Sequence, residues 1–218
     1  MYSRKIQNYR DQVILCEFID SNSFTYLPEE ERPNQNMDTL FFEIFTDQFE
    51  AFYERFVLSL ENLNQDLVFE ISETKFHQTR ASIPRAVFET NSRMGVVKKG
   101  TDVQLRIEQF ENLLSIYRKF SKKNIRYNLF GHFGDAHLHF NFMPTPEQTQ
   151  DCQEELENMY KLVKELKGSP FAEHGIGIIK QKFIKEYWPP SVKDLFKELK
   201  IRYDSKNKFF PQGFMSID

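Results

Sequence analysis

The chain has 218 residues and a mass of 26.1 kDa, with 29 Lys and Arg, 32 Asp and Glu, five His, two Cys and 23 Phe. A chain of this length buries roughly 70% of its unfolded surface and needs no disulfides to build a core. A net charge of −3 gives no basic face for nucleic acid or an anionic membrane, and no apolar run is long enough to span a bilayer. Two cysteines and no secretory signal predict reduced thiols in a cytoplasmic protein.

The first half of the chain predicts three strands and two helices. Short β-branched and aromatic runs predict the strands, and apolar residues spaced three and four apart predict the helices. The strands are expected at Val13–Ile19, Thr39–Phe45 and Asp66–Ser72, and the helices at Phe49–Leu63 and Thr74–Ser92. Residues 20–37 are polar and predict a loop. Pro84 predicts a kink or a fresh start of the second helix near Ile83.

The second half predicts four helices and two further strands. The helices are expected at Val103–Phe120, Thr145–Leu166, 175–186 and 190–202, and the strands at Arg126–Phe130 and His137–Met143. Thr145 is a suitable helix cap because Pro146 follows it at the first helical position. Residues 1–218 therefore predict a single α+β domain, with a ferredoxin-like antiparallel sheet, helices packed on it and additional C-terminal helices. Neither of the two glycine-rich sequences that typically bind nucleotide phosphates, G-x-G-x-x-G and G-x-x-x-x-G-K-[ST], occurs in the chain.

Histidine is concentrated in two short stretches. These contain His132, His137 and His139 in the first, and His174 in the second. Side chains alternate between the two faces of a strand, so His137, His139 and Asn141 share one face. A hairpin at residues 134–136 is expected to bring His132 back opposite His139. The sequence therefore predicts that imidazoles converge on one polar face.

A metal is one way to satisfy such a face. Glu173 is the natural carboxylate to join the imidazoles, and two His with one carboxylate is a ligand set for catalytic Zn²⁺ or non-haem Fe(II). The alternative is that these histidines lie at the edge of the core and bond to backbone carbonyls. Their clustering favours the metal, and residue spacing alone leaves both interpretations open.

Two motifs of the chain resemble a known family. Gly131–Asn141 resembles the signature G-H-x-G-D-G-N-L-H-x-N, and Glu173–Lys180 resembles E-H-G-I-G-x-x-K. Both belong to the FAD-linked oxidases of the D-lactate dehydrogenase, glycolate oxidase and D-2-hydroxyglutarate dehydrogenase type. Lys99–Val103 resembles a K-x-D-V segment of the family, and 203–213 resembles its tail. The matching part is the C-terminal, substrate-capping domain, and the N-terminal flavin-binding domain is expected to have no counterpart in this chain.

The resemblance implies a role for each site residue. His132, His139 and Glu173 would bind a divalent metal, with zinc the expected ion, and Asn141 would line the pocket. His174 would be the general base that takes the substrate hydroxyl proton while hydride leaves for the flavin. The substrate carboxylate would be bound by Arg80 and, in a less clean alignment, by Lys99 or Lys98. FAD would be held mainly by the absent domain, and no cofactor-binding residue of this chain is implied.

Several positions depart from the family pattern. The signature has Gly-Asn where this chain has Ala136 and His137, which adds an imidazole beside the site. Pro84 replaces a threonine, and Ser205 and Phe210 replace a proline and an asparagine of the tail. These changes leave the three implied ligands intact and put the identity of the substrate in doubt.

The resemblance implies an oxidoreductase that oxidises a small D-2-hydroxy acid and works with a flavin-binding domain or subunit. The chain alone is expected to be inactive and cytoplasmic, and a partner could place it at the inner membrane. Some of the phenylalanines would form an apolar seat for the flavin domain and favour self-association. The alternatives are a flavin-free metal- or ligand-binding module and, last, a metal-dependent hydrolase, for which no second carboxylate is evident.

Overall fold

A computed structural model describes residues 5–32, 37–61 and 63–213. Within these ranges the chain forms six strands and seven α-helices. The strands are β1 (Val13–Ile19), β2 (Thr39–Ile44), β3 (Lys99–Gly100), β4 (Val103–Gln104), β5 (Arg126–His132) and β6 (His137–Met143). The helices are α1 (Ser21–Phe24), α2 (Phe49–Arg55), α3 (Glu73–Met94), α4 (Phe110–Ser121), α5 (Thr149–Glu165), α6 (Gln181–Tyr187) and α7 (Pro190–Tyr203). None of the described helices is long and apolar enough to cross a membrane.

All strands pair antiparallel in one sheet of order β2-β1-β5-β6-β3, and β4 also pairs with β6. The predicted α+β class and antiparallel sheet are thereby confirmed. The expected strands match β1 and β6 residue for residue, and β2 and β5 within two residues. Thr145 and Gln148 form a capping box with Pro146 behind it, as the sequence predicts. Residues 33–36 of the predicted loop and residue 62 of the helix predicted at Phe49–Leu63 lie outside the described ranges.

The predicted strand at Asp66–Ser72 is wrong. A short 3-10 helix covers Gln65–Leu67, and the chain after it is extended but joins no described strand. Phe69 is 63% exposed. The apolar and aromatic composition of this segment favours a strand. A strand forms only where a neighbouring strand can hydrogen-bond to it, and no described strand pairs with this segment.

Several helix predictions also need correction. The helix expected at Phe49–Leu63 ends at Arg55, and the helix expected at 175–186 begins only at Gln181. The predicted helix from Val103 begins only at Phe110, because Val103–Gln104 pairs with β6 as a strand. The expected fresh start near Ile83 does not occur, and α3 runs on through Pro84. Pro84 faces solvent while Ile83 is buried on the packed face, so the proline ring disturbs no core contact. Packing of the helix thus outweighs the tendency of proline to interrupt it.

The main core lies between one face of the sheet and helices α2, α4 and α5. Strand β6 contributes alternate residues to this core, as the pattern predicted. The buried members include Phe52, Phe56, Leu113, Tyr117, Phe120, Leu138, Phe140, Phe142, Cys152, Met159 and Val163. Phenylalanine is abundant in the sequence largely because it fills this layer, where ring pairs such as Phe140 and Tyr117 stack at 5.1 Å.

The opposite face of the sheet is covered by α3 along part of its length. Ile19 and Phe41 of the sheet pack there against Phe76, Ile83 and Val87 of the helix. At one end of this face the apolar side chains give way to charged and polar ones from three adjacent strands. That polar end carries the candidate site.

Candidate metal and substrate site

The register of the sheet places the site residues in a row. Glu17 of β1 lies opposite His132 of β5, and His132 lies opposite His137 of β6. The expectation that His132 lies opposite His139 is therefore wrong, since Phe130 takes that place. The imidazoles converge nonetheless, because the ring of His132 lies 5.8 Å from the rings of both other histidines. Diagonal neighbours on one face are within reach of long side chains.

Glu173 comes from a separate segment of the chain and lies close to all three of these histidines. One carboxylate oxygen lies 3.1 Å from Nε2 of His139, and the other lies 3.6 Å from Nε2 of His132 and 3.8 Å from Nδ1 of His137. These four residues offer ligand atoms that all lie within 4.8 Å of one another. Donor atoms around a tetrahedral ion with 2.0–2.1 Å bonds are about 3.4 Å apart. The donors therefore fit a divalent ion in type and spacing.

His137 is buried and His139 is partly buried, so both histidines of β6 are suited to act as neutral ligands. Burial, helped by the neighbouring His137, lowers the pKa of His139 to about 4, and burial also lowers the pKa of His137. A metal ligand must present an unprotonated nitrogen. At neutral pH these rings therefore carry a free lone pair.

Asp102 holds the segment that carries Glu173. Its carboxylate accepts the backbone N–H of Glu173 at 3.0 Å and of His174 at 3.2 Å, and it pairs with Nζ of Lys180. Burial would raise the pKa of this carboxyl, but the bonds from Lys180 and the two amides outweigh burial and lower the pKa. The contact joins the Lys99–Val103 segment to both ends of the Glu173–Lys180 motif. Asp102 therefore brings two motifs that are far apart in the sequence into direct contact.

Glu17 is a site residue that the sequence analysis missed. It is 3% exposed, and its Oε1 lies 2.9 Å from Nδ1 of His132 and 3.1 Å from Nε of Arg80. The hydrogen bond with Glu17 raises the pKa of His132 against the effect of burial. A carboxylate on Nδ1 also directs the other nitrogen, Nε2, toward Glu173, as carboxylates bonded to metal-binding histidines do. The available signal was a lone charge inside the apolar run Val13–Ile19.

Arg80 reaches the same place from helix α3. Its Nε is bonded to Glu17, and among the described residues no hydrogen bond occupies its two terminal nitrogens. The side chain is 41% exposed. A guanidinium held by Nε with its other donors directed to solvent can bind a carboxylate from outside.

Asn141 lies on the same face of β6 as His139, two residues further along the strand. It is buried and donates from Nδ2 to Oδ1 of Asn128, its partner on β5, at 2.8 Å. A Cβ on Gly100 would lie 2.4 Å from Oδ1 of Asn141. Only glycine therefore allows β3 to approach the amide this closely.

The structure does not bring Lys99 to the site. Lys99 pairs with Phe142, whose ring belongs to the main core, so its side chain starts on the opposite face of the sheet. Lys98 is on the site side, since its Cε would be 3.9 Å from a Cβ on Gly100. The one-residue difference matters because neighbouring residues in a strand face opposite ways.

His174 lies on the outer side of the cluster. Its ring stacks on His139 with centroids 5.2 Å apart and an angle of 6°, and its Nε2 is 3.2 Å from Glu173. The side chain is 54% exposed. An imidazole in this position can exchange protons with solvent or with a bound molecule.

Gly131 allows the two histidine strands to lie close together. Its φ is +141°, and a Cβ there would be 2.9 Å from the carbonyl oxygen of His137 and 3.2 Å from Cδ2 of His139. Another residue would strain the backbone and push the imidazole away. The close approach of the two strands therefore explains why the Gly131–Asn141 motif begins with glycine.

A second group of possible ligands lies apart from this site. It consists of Glu43, Glu73 and His77, and the last two are exposed. Exposed groups of this kind commonly hold no ion. They provide control positions for tests of the histidine cluster.

Replacing Glu17 with glutamine is expected to weaken zinc binding about 10- to 100-fold, because His132 loses the carboxylate that orients it. The measurement is a competition titration with a chromogenic zinc chelator. Glu43→Gln, which removes a carboxylate 3.2 Å from His77, is the matched control and should leave the affinity unchanged. Equal affinities for the two variants would show that Glu17 does not support the site.

Comparison with known proteins places this domain in a family. The profile of the family described as FAD linked oxidases, C-terminal domain, matches residues 4–212. The chain therefore belongs to this family. The match covers both motifs and every residue of the candidate site.

Curated relatives are dehydrogenases of 2-hydroxy acids. D-lactate dehydrogenase (cytochrome) 1, mitochondrial, of Saccharomyces cerevisiae is 28% identical over 120 residues, which are 54% of this chain and 20% of the yeast protein. D-2-hydroxyglutarate dehydrogenase, mitochondrial, of Danio rerio is 30% identical over 115 residues, which are 50% of this chain and 21% of the fish protein. The matched part of the chain thus spans about a fifth of the length of these relatives.

Proposed function

We propose that this chain is the substrate-binding and metal-binding part of an FAD-dependent oxidoreductase that oxidises a small D-2-hydroxy acid. The observation that carries the proposal is the meeting of His132, His139 and Glu173 with Arg80 and His174 at one end of the sheet. Membership of the FAD-linked oxidases and similarity to D-lactate and D-2-hydroxyglutarate dehydrogenases support it.

His132, His139 and Glu173 would hold a divalent metal, for which zinc fits the imidazole and carboxylate donors. A bound metal would lower the pKa of an alcohol oxygen beside it. Arg80 would bind the substrate carboxylate with its terminal nitrogens and so fix the position of the hydroxyl group. His174 would take the hydroxyl proton, since its ring is exposed next to the ligands.

One buried amide and a lysine complete the proposed pocket. Asn141 would present its amide along the wall beside His139. Lys98 is better placed than Lys99 to add a second positive charge for the carboxylate, because it lies on the site face. The space that these residues and Arg80 leave in the pocket would decide which acid fits.

The flavin would come from a partner domain or subunit and would accept the hydride from the substrate. A partner fits membership of the FAD-linked oxidase family and the exposed apolar residues of the Glu173–Lys180 motif, since Ile178 is 60% and Ile179 is 85% exposed. Exposed apolar side chains of this kind favour association with another surface, including a second copy of this chain. Mixing the purified protein with FAD and measuring absorbance near 450 nm after gel filtration tests whether this chain retains flavin alone, and we expect it not to.

Replacing Arg80 with lysine is expected to weaken the binding of D-lactate to the zinc-loaded protein about tenfold or more. Lysine keeps the charge but cannot donate two parallel hydrogen bonds to a carboxylate. Isothermal titration calorimetry measures the change. Arg85→Lys, an exposed position on a different side of α3, is the control. An equal loss in both variants, or no loss in either, would contradict the role of Arg80.

A further inference from the structure

His137 has no role in the proposed function, although it lies in the middle of the site. It stands where the family signature has asparagine, and its side chain is 5% exposed. In the sheet it lies directly opposite His132, and its ring is 4.7 Å from that of His139. Its position is therefore fixed by the same backbone pairing that fixes the two implied ligands.

The two ring nitrogens of His137 face different carboxylates. Nε2 is buried without a hydrogen bond, and the nearest acidic atom is Oδ1 of Asp102 at 3.3 Å. Nδ1 is 3.8 Å from Oε2 of Glu173 and makes no hydrogen bond to a described residue. A carboxylate beside one nitrogen favours the proton there and leaves the lone pair on the other nitrogen. Asp102 thus favours a ring with its lone pair directed at Glu173.

We propose that His137 is a fourth protein ligand, so that this chain binds a divalent metal through three imidazoles and one carboxylate. The inference rests on the proposed metal site and extends it. It follows from the four donors that lie within 4.8 Å of one another, of which His137 is one. Asp102 would then support the site twice, through the backbone of Glu173 and through the ring of His137.

A fourth protein donor changes what the site can do. Four donors complete the tetrahedral coordination that zinc prefers, whereas catalytic sites usually keep one position open. The site is therefore tighter than a three-ligand site and favours zinc over magnesium or calcium, because imidazole is a poor ligand for those ions. A substrate hydroxyl would have to enter as a fifth donor or replace His137. His137 would thus set the balance between holding the metal and admitting the substrate.

The test compares His137→Asn with wild type, using zinc and cobalt(II) as the probes. We expect zinc affinity to fall by about tenfold or more, since losing a donor costs at least as much as losing a residue that only orients a donor. The visible spectrum of bound cobalt should also change, because it reports the number and kind of donors. His137→Gln is the second variant, and circular dichroism of both variants checks that they are folded.

His77→Asn is the control, since it removes an imidazole from the separate exposed group. Unchanged affinity and an unchanged cobalt spectrum in folded His137→Asn and His137→Gln would overturn the fourth ligand while leaving the three-ligand proposal intact. Failure of the wild-type protein to bind either metal would overturn both. The two failures are therefore distinguishable.

Discussion

Replacing His139 with alanine is expected to abolish stoichiometric zinc binding. His139 has the closest approach to Glu173, at 3.1 Å, and partial burial lowers the pKa of its ring, which favours a free lone pair at the centre of the cluster. Removing a direct ligand should lower the affinity by more than the about 10- to 100-fold that follows from losing a residue that only orients a ligand. Elemental analysis of the purified proteins and a chelator competition titration measure the loss. We expect the same from His132→Ala.

The control for this experiment is His77→Ala, at the separate exposed group. It should keep one metal per chain. Equal metal content in His132→Ala, His139→Ala and wild type would contradict the proposed ligands. Loss of metal in His77→Ala alone would move the site to the other group.

Asp102→Asn is expected to be the most destabilising change near the site. It leaves Lys180, whose side chain is only 14% exposed, without its carboxylate partner. Removing one partner of a buried ion pair costs about 3–5 kcal/mol, and the partial exposure of Lys180 places the expected loss near the lower value. For a chain of this size, each kcal/mol lowers the melting temperature by about 2–4 °C. Thermal and urea unfolding of the metal-free proteins measure the effect.

A second substitution separates the ion pair from other effects of this change. Asp102→Asn combined with Lys180→Met should recover part of the loss, because no buried charge then remains unpaired. Glu157→Gln, which breaks an exposed pair with Lys182, should change stability far less than Asp102→Asn does, because solvent screens an exposed pair. A loss of similar size for Asp102→Asn and Glu157→Gln would show that Asp102 does not anchor the Glu173 segment.

The sequence predicted the parts of this molecule that depend on local pattern. Strand β6 alternates between core and site residues, so both its limits and the shared face of His137, His139 and Asn141 could be predicted. The cap at Thr145 follows in the same way from neighbouring residues. Period-two alternation and capping both act over a few residues, which explains why these predictions are confirmed.

The errors arise where distant parts of the chain decide the outcome. His132 lies opposite His137 because the turn between them consists of residues 133–136, with three residues of 3-10 helix and a left-handed Ala136 at a φ of 51°. Glu17 joins the site only because β1 pairs with β5, more than 100 residues away. Lys99 turns to the core because of its register with Phe142. Sheet order and register are long-range properties, and no local pattern contains them.

Binding of D-lactate to the zinc-loaded protein tests the central proposal most directly, with propanoate, which lacks the hydroxyl group, as the comparison ligand. If the chain is the metal-bearing substrate domain of a 2-hydroxy acid oxidoreductase, calorimetry should show D-lactate binding that is lost when zinc is removed, and propanoate should bind at least tenfold more weakly, in line with the loss of about 1.5–3 kcal/mol for a bond to a charged group. Equal binding of the two acids, or D-lactate binding that is unaffected by removal of zinc, would contradict the proposal.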